Sequence, residues 1–161
     1  MHDVKALVGL SSIFEGLEIR LPSVIVCPLV QGFSLVPITG LVANELGAFE
    51  PTQADSIAPD MPTGLASLAV ALSSTGPVAY ISTEFFGGQG EQDAVVWEGG
   101  HLALTLSDAT DKTLKWTDSP VSRALRSIGV VADAGKDEFD TVGLGRHRST
   151  ECWADENSKN D

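Results

Sequence analysis

Cationic residues are scarce in this chain. Ten Lys and Arg stand against 22 Asp and Glu, a formal net charge of −12. A nucleic-acid surface needs clustered Lys and Arg to meet phosphate, so that class of partner is excluded. An anionic membrane is excluded for the same reason. A basic protein partner remains compatible, because complementary fields speed encounter and select against wrong partners. Acidic charge that simply keeps a protein soluble is equally compatible. Cysteine is nearly absent: Cys27 and Cys152 lie far apart and make no disulfide framework, which points to free thiols in a reducing cytoplasm. There is no Cys-x-x-Cys, and His2, His101 and His147 are scattered, so no structural zinc site, no other metal and no cofactor is expected. Long apolar runs are missing too. Val24 to Val30 is broken by Pro28, and Leu65 to Leu72 is only helix-length, against the ~20 residues that span a bilayer. Met1 to Lys5 has no basic, then apolar, leader pattern, so no secretory signal is expected and the location reads as cytoplasmic.

What is present suits one folded domain. The chain has 161 residues, 43% of them hydrophobic, which is enough for a real core. The expected domain covers residues 1–153, with 154–161 a frayed acidic tail. Val4 to Ser12 reads as a short first strand. Gly16 to Leu21 alternates as a half-exposed strand up to Pro22, and Val24 to Leu29 is apolar on both faces. Phe33 to Ile38 is a further strand. Thr39 caps a short helix over Gly40 to Leu46. Ala48 to Pro62, with three prolines, is either a functional loop or partly helical. Thr63 then caps a helix over Gly64 to Ser74 whose Leu65, Leu68, Ala69 and Leu72 form one stripe. Val78 to Phe85, Gln92 to Trp97 and His101 to Leu106 form a meander, the last with Leu102, Leu104 and Leu106 on one face. Ser119-Pro120 opens a helix running to Ile128. The expected class is α+β: a mostly antiparallel sheet with a C-terminal three-stranded meander and about three helices packed on one face.

Two constellations carry possible chemistry. The bend Gly87-Gly88-Gln89-Gly90 is not a phosphate loop, because Glu91-Gln92-Asp93 and β-branched residues follow it where a helix N-terminus and Lys-Ser or Lys-Thr are needed. Either its glycines make a strong turn with Phe85 and Phe86 anchored in the core, or it is a flap presenting Glu84, Gln89, Glu91, Gln92 and Asp93 to a partner. The second constellation is Asp137-Glu138-Phe139-Asp140 with Arg146-His147-Arg148. Either these charges neutralise one another across a loop, or Arg146 or Arg148 clamps an anion while His147 moves a proton, with Glu84 as its partner. No Gly-x-Ser-x-Gly elbow is present. His101 reads as a surface strand residue, Cys27 as a small buried hydrophobe, and Trp97, Trp116 and Trp153 as core or lid aromatics.

At these motifs the chain resembles a family of small uncharacterised bacterial proteins. The shared segments are Ala79-Tyr80-Ile81-Ser82-Thr83-Glu84-Phe85-Phe86-Gly87-Gly88-Gln89-Gly90-Glu91-Gln92-Asp93-Ala94, and Asp137-Glu138-Phe139-Asp140 followed by Gly143-Leu144-Gly145-Arg146-His147-Arg148, with Glu151 and Trp153 a few residues on. The resemblance covers the C-terminal half, and the family brings no activity with it. Some such small acidic proteins look like immunity proteins that block a cognate toxin. The resemblance therefore implies a protein-binding module with a basic toxin domain as partner. A small enzyme using Glu84 and His147, and a non-catalytic assembly subunit, are the alternatives.

Overall fold

The computed structural model describes residues 2–86, 89–110 and 119–158. Its centre is an antiparallel sheet of six strands: β1 (His2–Leu10), β2 (Cys27–Pro28), β3 (Phe33–Pro37), β4 (Val78–Phe86), β5 (Gln89–Glu98) and β6 (His101–Thr110). Their order is β2-β3-β1-β4-β5-β6, and each neighbouring pair is antiparallel. The N-terminal strand β1 lies inside the sheet, hydrogen-bonded to β3 on one side and β4 on the other.

Helices cover both faces of this sheet, not one. Leu7, Val36, Val78, Tyr80, Val95 and Trp97 pack with Val42 and Leu46 of α1 (Gly40–Leu46) and with Leu65 and Leu68 of α2 (Leu65–Leu72). The opposite face buries Val4, Ala6, Val8, Ile81, Ala94 and Val96. They pack against Val121, Ala124 and Leu125 of α3 (Pro120–Ser127), Val142 of α4 (Glu138–Val142) and Trp153 of α5 (Thr150–Ser158). The cause is visible in the chain: Val78 to Ile81 and Ala94 to Trp97 are apolar at every position, as a strand covered on both faces must be. Helix α5 runs to Ser158, inside the 154–161 stretch expected to fray, with Ala154 buried; residues 159–161 lie outside the described part.

Two strand expectations fail locally. Gly16 takes a left-handed conformation and Leu17–Ile19 is a 3-10 turn. Leu17 and Leu21 are buried one turn apart, while Ile19 is 84% exposed. A spacing of two along Leu17, Ile19 and Leu21 was compatible with a strand, but only Leu17 and Leu21 face the core. Of Val24 to Leu29, only Cys27–Pro28 pairs, at the sheet edge where a proline without an N–H is tolerated.

The meander is a chain of hairpins. Register pairs Phe86 with Gln89 and Glu98 with His101. Gly99 and Gly100 both have positive φ, as a two-residue I′ turn requires. Both donate backbone N–H groups to Ser73 at the end of α2, one to its carbonyl and one to its hydroxyl. A bulge shifts the register so that Trp97 faces Leu102 while Val96 faces Leu104. Leu102 therefore leaves the face of Leu104 and Leu106, and it is 49% exposed.

The long segment between α1 and α2 has its own order. Gln53–Ser56 is a 3-10 turn, and the Asp55 carboxylate accepts from Thr52 N (3.0 Å), Gly64 N (3.0 Å) and Ala66 N (3.1 Å). Asp55 thus satisfies the free amides at the start of α2, a role expected of Thr63. Thr39 and Ser119 do cap α1 and α3, accepting from Val42 N and Ser122 N.

Candidate functional site

Side-chain alternation turns one end of the sheet polar. On the α1/α2 face, β4 runs Val78, Tyr80, Ser82, Glu84; β5 runs Trp97, Val95, Asp93, Glu91; β1 runs Leu7, Lys5, Asp3. Register stacks these into rows across the strands. Lys5, Ser82, Asp93 and Ser107 form one, and Asp3, Glu84 and Glu91 form the next.

The inner row is largely enclosed. Asp93 is 5% exposed and Ser82 8%. The Ser107 hydroxyl donates to Asp93 Oδ1 at 2.5 Å. Tyr80, the single tyrosine of the chain, is fully buried, and among the described residues its hydroxyl has no hydrogen-bond partner. Burial pushes its phenol above the ordinary value of 10.0, against the nearby Ser82 hydroxyl, and the Asp93 and Asp60 carboxylates add to the rise. Tyr80 therefore stays protonated in the fold at a pH where it ionises in the unfolded chain. Its contribution to stability is complete below pH 10 and is lost as pH rises beyond it. An alkaline titration of the native protein is expected to show no tyrosinate absorbance until unfolding, followed by its abrupt appearance. A smooth titration centred near 10 with the fold intact would refute the enclosure.

The outer row is open. Glu84 and Glu91 are exposed, Asp3 is half-buried, and no ion pair reaches any of the three among the described residues. Gln89 opens β5, but its side chain, those of Phe85 and Phe86, and all of Gly87 and Gly88 lie outside the described part. The turn and flap readings of the bend both fall there. Gln92 is not a surface contact. It points to the opposite face, where its Oε1 accepts from Val121 N at 3.1 Å and caps α3. Strand alternation explains this, since Gln92 sits between two residues of the other face.

The second constellation resolves into structural roles. Asp137 caps α4, accepting from Asp140 N at 2.8 Å and from the Ser122 hydroxyl at 3.1 Å. Burial pushes its carboxyl up, opposed by the bonds from Asp140 N–H and Ser122. Glu138 is 4% exposed and pairs with Arg126 of α3 (2.8 and 3.5 Å), so its countercharge comes from α3 and not from Arg146 or Arg148. Arg146 lies with its guanidinium 4.8 Å from the Trp153 ring centroid and donates to the Pro28 carbonyl. The His147 ring meets Trp153 edge-on at 4.8 Å. The Arg148 side chain is exposed, and its carbonyl accepts from Asp3 N at 2.8 Å. This segment clasps α5 to β1 and β2.

Glu84 and His147 are not brought together. Glu84 shares the face of Tyr80, whereas His147 packs on Trp153 in the core of the opposite face. The sheet separates the proposed proton-transfer pair. Cys27 is a buried thiol, in no disulfide, that donates to the Trp153 carbonyl, and Cys152 is an exposed thiol. Trp97 and Trp153 are core residues, His101 is exposed, and Trp116 lies outside the described residues. Tyr80, Ser82, Lys5 and Asp3 were not singled out from sequence. Alternation alone places Tyr80 and Ser82 beside Glu84, but β1 joins them only through register.

Among the described residues no group of three or more His, Cys, Asp or Glu is arranged to hold a metal, and no helix is long and apolar enough to cross a membrane. The chain matches no protein-family model, no curated protein and no solved structure.

Proposed function

We propose that this chain is a protein-binding module whose acidic sheet end receives a basic partner. The observation that carries the reading is the outer row: Asp3, Glu84 and Glu91 stand directly opposite one another on three adjacent strands. Like charges at paired positions cost stability, roughly 0.2–1 kcal/mol per pair. A row that opposes folding in the free protein gains its use when cations arrive from outside. The net charge of −12 extends the same field over the molecule. A basic toxin domain is one partner of this chemistry, and blocking it is the specific activity we assign.

The test is charge reversal. Glu84→Lys with Glu91→Lys is expected to keep the fold, to match or exceed the parent in urea stability, and to abolish binding of the basic protein that the parent captures from source cells. Co-expression of the parent with that protein then measures protection. A double variant that is folded and still binds with unchanged affinity sinks the assignment of this surface.

A further inference from the structure

Two observations at the inner row are not explained by folding. Among the described residues, Asp93, a carboxylate 5% exposed, accepts one hydrogen bond, from the Ser107 hydroxyl, and the fully buried Tyr80 hydroxyl has no hydrogen-bond partner. Burying such groups without partners is costly, and natural interiors rarely tolerate it. Both lie on the same face one row apart, with Ser82 beside them: Tyr80 and Ser82 are alternate residues of β4, and Ser82 pairs with Asp93. Among the described residues no cation pairs with Asp93. Lys5 lies in the same row but two strand spacings from Asp93, ~9–10 Å, and makes no ion pair with it.

We propose that this notch, formed by Asp93, Tyr80 and Ser82, is the seat of a lysine side chain from the basic partner, a proposal that rests on the binding role assigned above. The match is one of donors and acceptors. An ammonium carries three N–H donors and no acceptor. Here it meets one carboxylate and two hydroxyl oxygens, with the exposed Ser107 at the rim. The carboxylates of Glu84 and Glu91 in the next row lead the charge inward, and the buried Asp93 holds it in a water-poor setting where a charged hydrogen bond is strong. Such an anchor, buried at its tip and ringed by exposed charge, is how a few residues come to dominate an interface.

The probe is n-butylammonium chloride, a lysine side-chain analogue, with tetramethylammonium chloride as a control of equal charge without N–H donors. Both are titrated at constant ionic strength while the amide signals of Ser82, Asp93 and Ser107 and the Tyr80 ring signals are followed by NMR. Butylammonium is expected to shift them saturably and tetramethylammonium to leave them in place. Asp93→Asn is expected to weaken the response ~tenfold or more, since a charged hydrogen bond is lost. Tyr80→Phe is expected to fold at least as stably as the parent, because it removes an unpartnered hydroxyl, and yet to weaken the response; it stands as the second variant should Asp93→Asn misfold. Equal shifts with both salts, or none with either, overturn the notch and leave a trapped water as its only occupant. Pentalysine, titrated in parallel, separates the two readings. Binding that Glu84→Gln with Glu91→Gln abolishes, with Tyr80 silent, overturns the notch and keeps the acidic surface. No binding of pentalysine at low salt overturns both.

Discussion

Gly64→Ala is expected to lower the melting temperature by roughly 10 °C, corresponding to about 3–5 kcal/mol at the usual scaling for a chain of this size. Gly64 precedes α2 with φ +92, and a Cβ there would sit 2.0 Å from the Leu46 carbonyl oxygen at the end of α1. The left-handed backbone alone costs an L-residue about 1–2 kcal/mol. The contact adds more, because it is with backbone and no side chain can swing aside. The Gly64 N–H is also held by Asp55, so the junction cannot move without losing the cap of α2. Gly16→Ala separates the two terms. Gly16 has φ +78 but nothing within 4 Å of a built Cβ, so it is expected to show only the conformational cost. Thermal denaturation followed by circular dichroism checks both. Equal losses in the two variants would show that the approach to Leu46 carries no weight.

Trp153→Ala is the second large effect. The ring is fully buried in the core beneath β1 and β3, with Arg146 over its face and the edge of His147 against it. Truncating a buried tryptophan costs ~3–5 kcal/mol, the lost transfer energy plus the cavity. Trp153→Phe is expected to recover most of that. The indole N–H has no hydrogen-bond partner among the described residues, so phenylalanine forfeits volume but no hydrogen bond. Urea unfolding gives the stabilities. Amide exchange at Asp3, whose N–H bonds to the Arg148 carbonyl, tests the clasp itself: it is expected to accelerate in the alanine variant more than amides in the middle of β4. Uniform acceleration across the sheet would mean that the segment contributes packing alone.

These sites mark how far the fold can be read from residues. Local chemistry was legible where a side chain acts on its own neighbours: Thr39 before α1, Ser119-Pro120 before α3, and the glycine pair between β5 and β6. It was not legible where the partner is distant. Asp55 caps α2 from nine residues upstream of Gly64, and Gln92 caps α3 from a strand, so neither shows a local capping pattern. The two-sided sheet was written in the unbroken apolar runs of β4 and β5, yet alternation further along β4 suggested a one-sided one. The bulge opposite Trp97 is invisible in the regular Leu102-Leu104-Leu106 pattern. The candidate site divides in the same way. Glu84, Glu91 and Asp93 could be chosen from the chain because they crowd one bend. Their partners Asp3, Lys5 and Tyr80 depend on register, which no local pattern specifies. Arg146, His147 and Arg148 drew attention as charge, but the first two are used for their contact with Trp153.

The central place of β1 sets the order in which this molecule can be completed. β1 leaves the ribosome before every strand it pairs with, and its β4 neighbour begins only at Val78. At roughly 5–20 residues per second, Val4, Ala6 and Val8 wait several seconds for β4. They wait longer for Trp153, which closes the layer over them near the far end of the chain. Partial chains therefore carry an apolar ribbon whose β4 edge stays open after β3 has become available to close the other. Productive folding is a late event, governed by distant pairings and not by the helices, and stalled or truncated products are where self-association will concentrate.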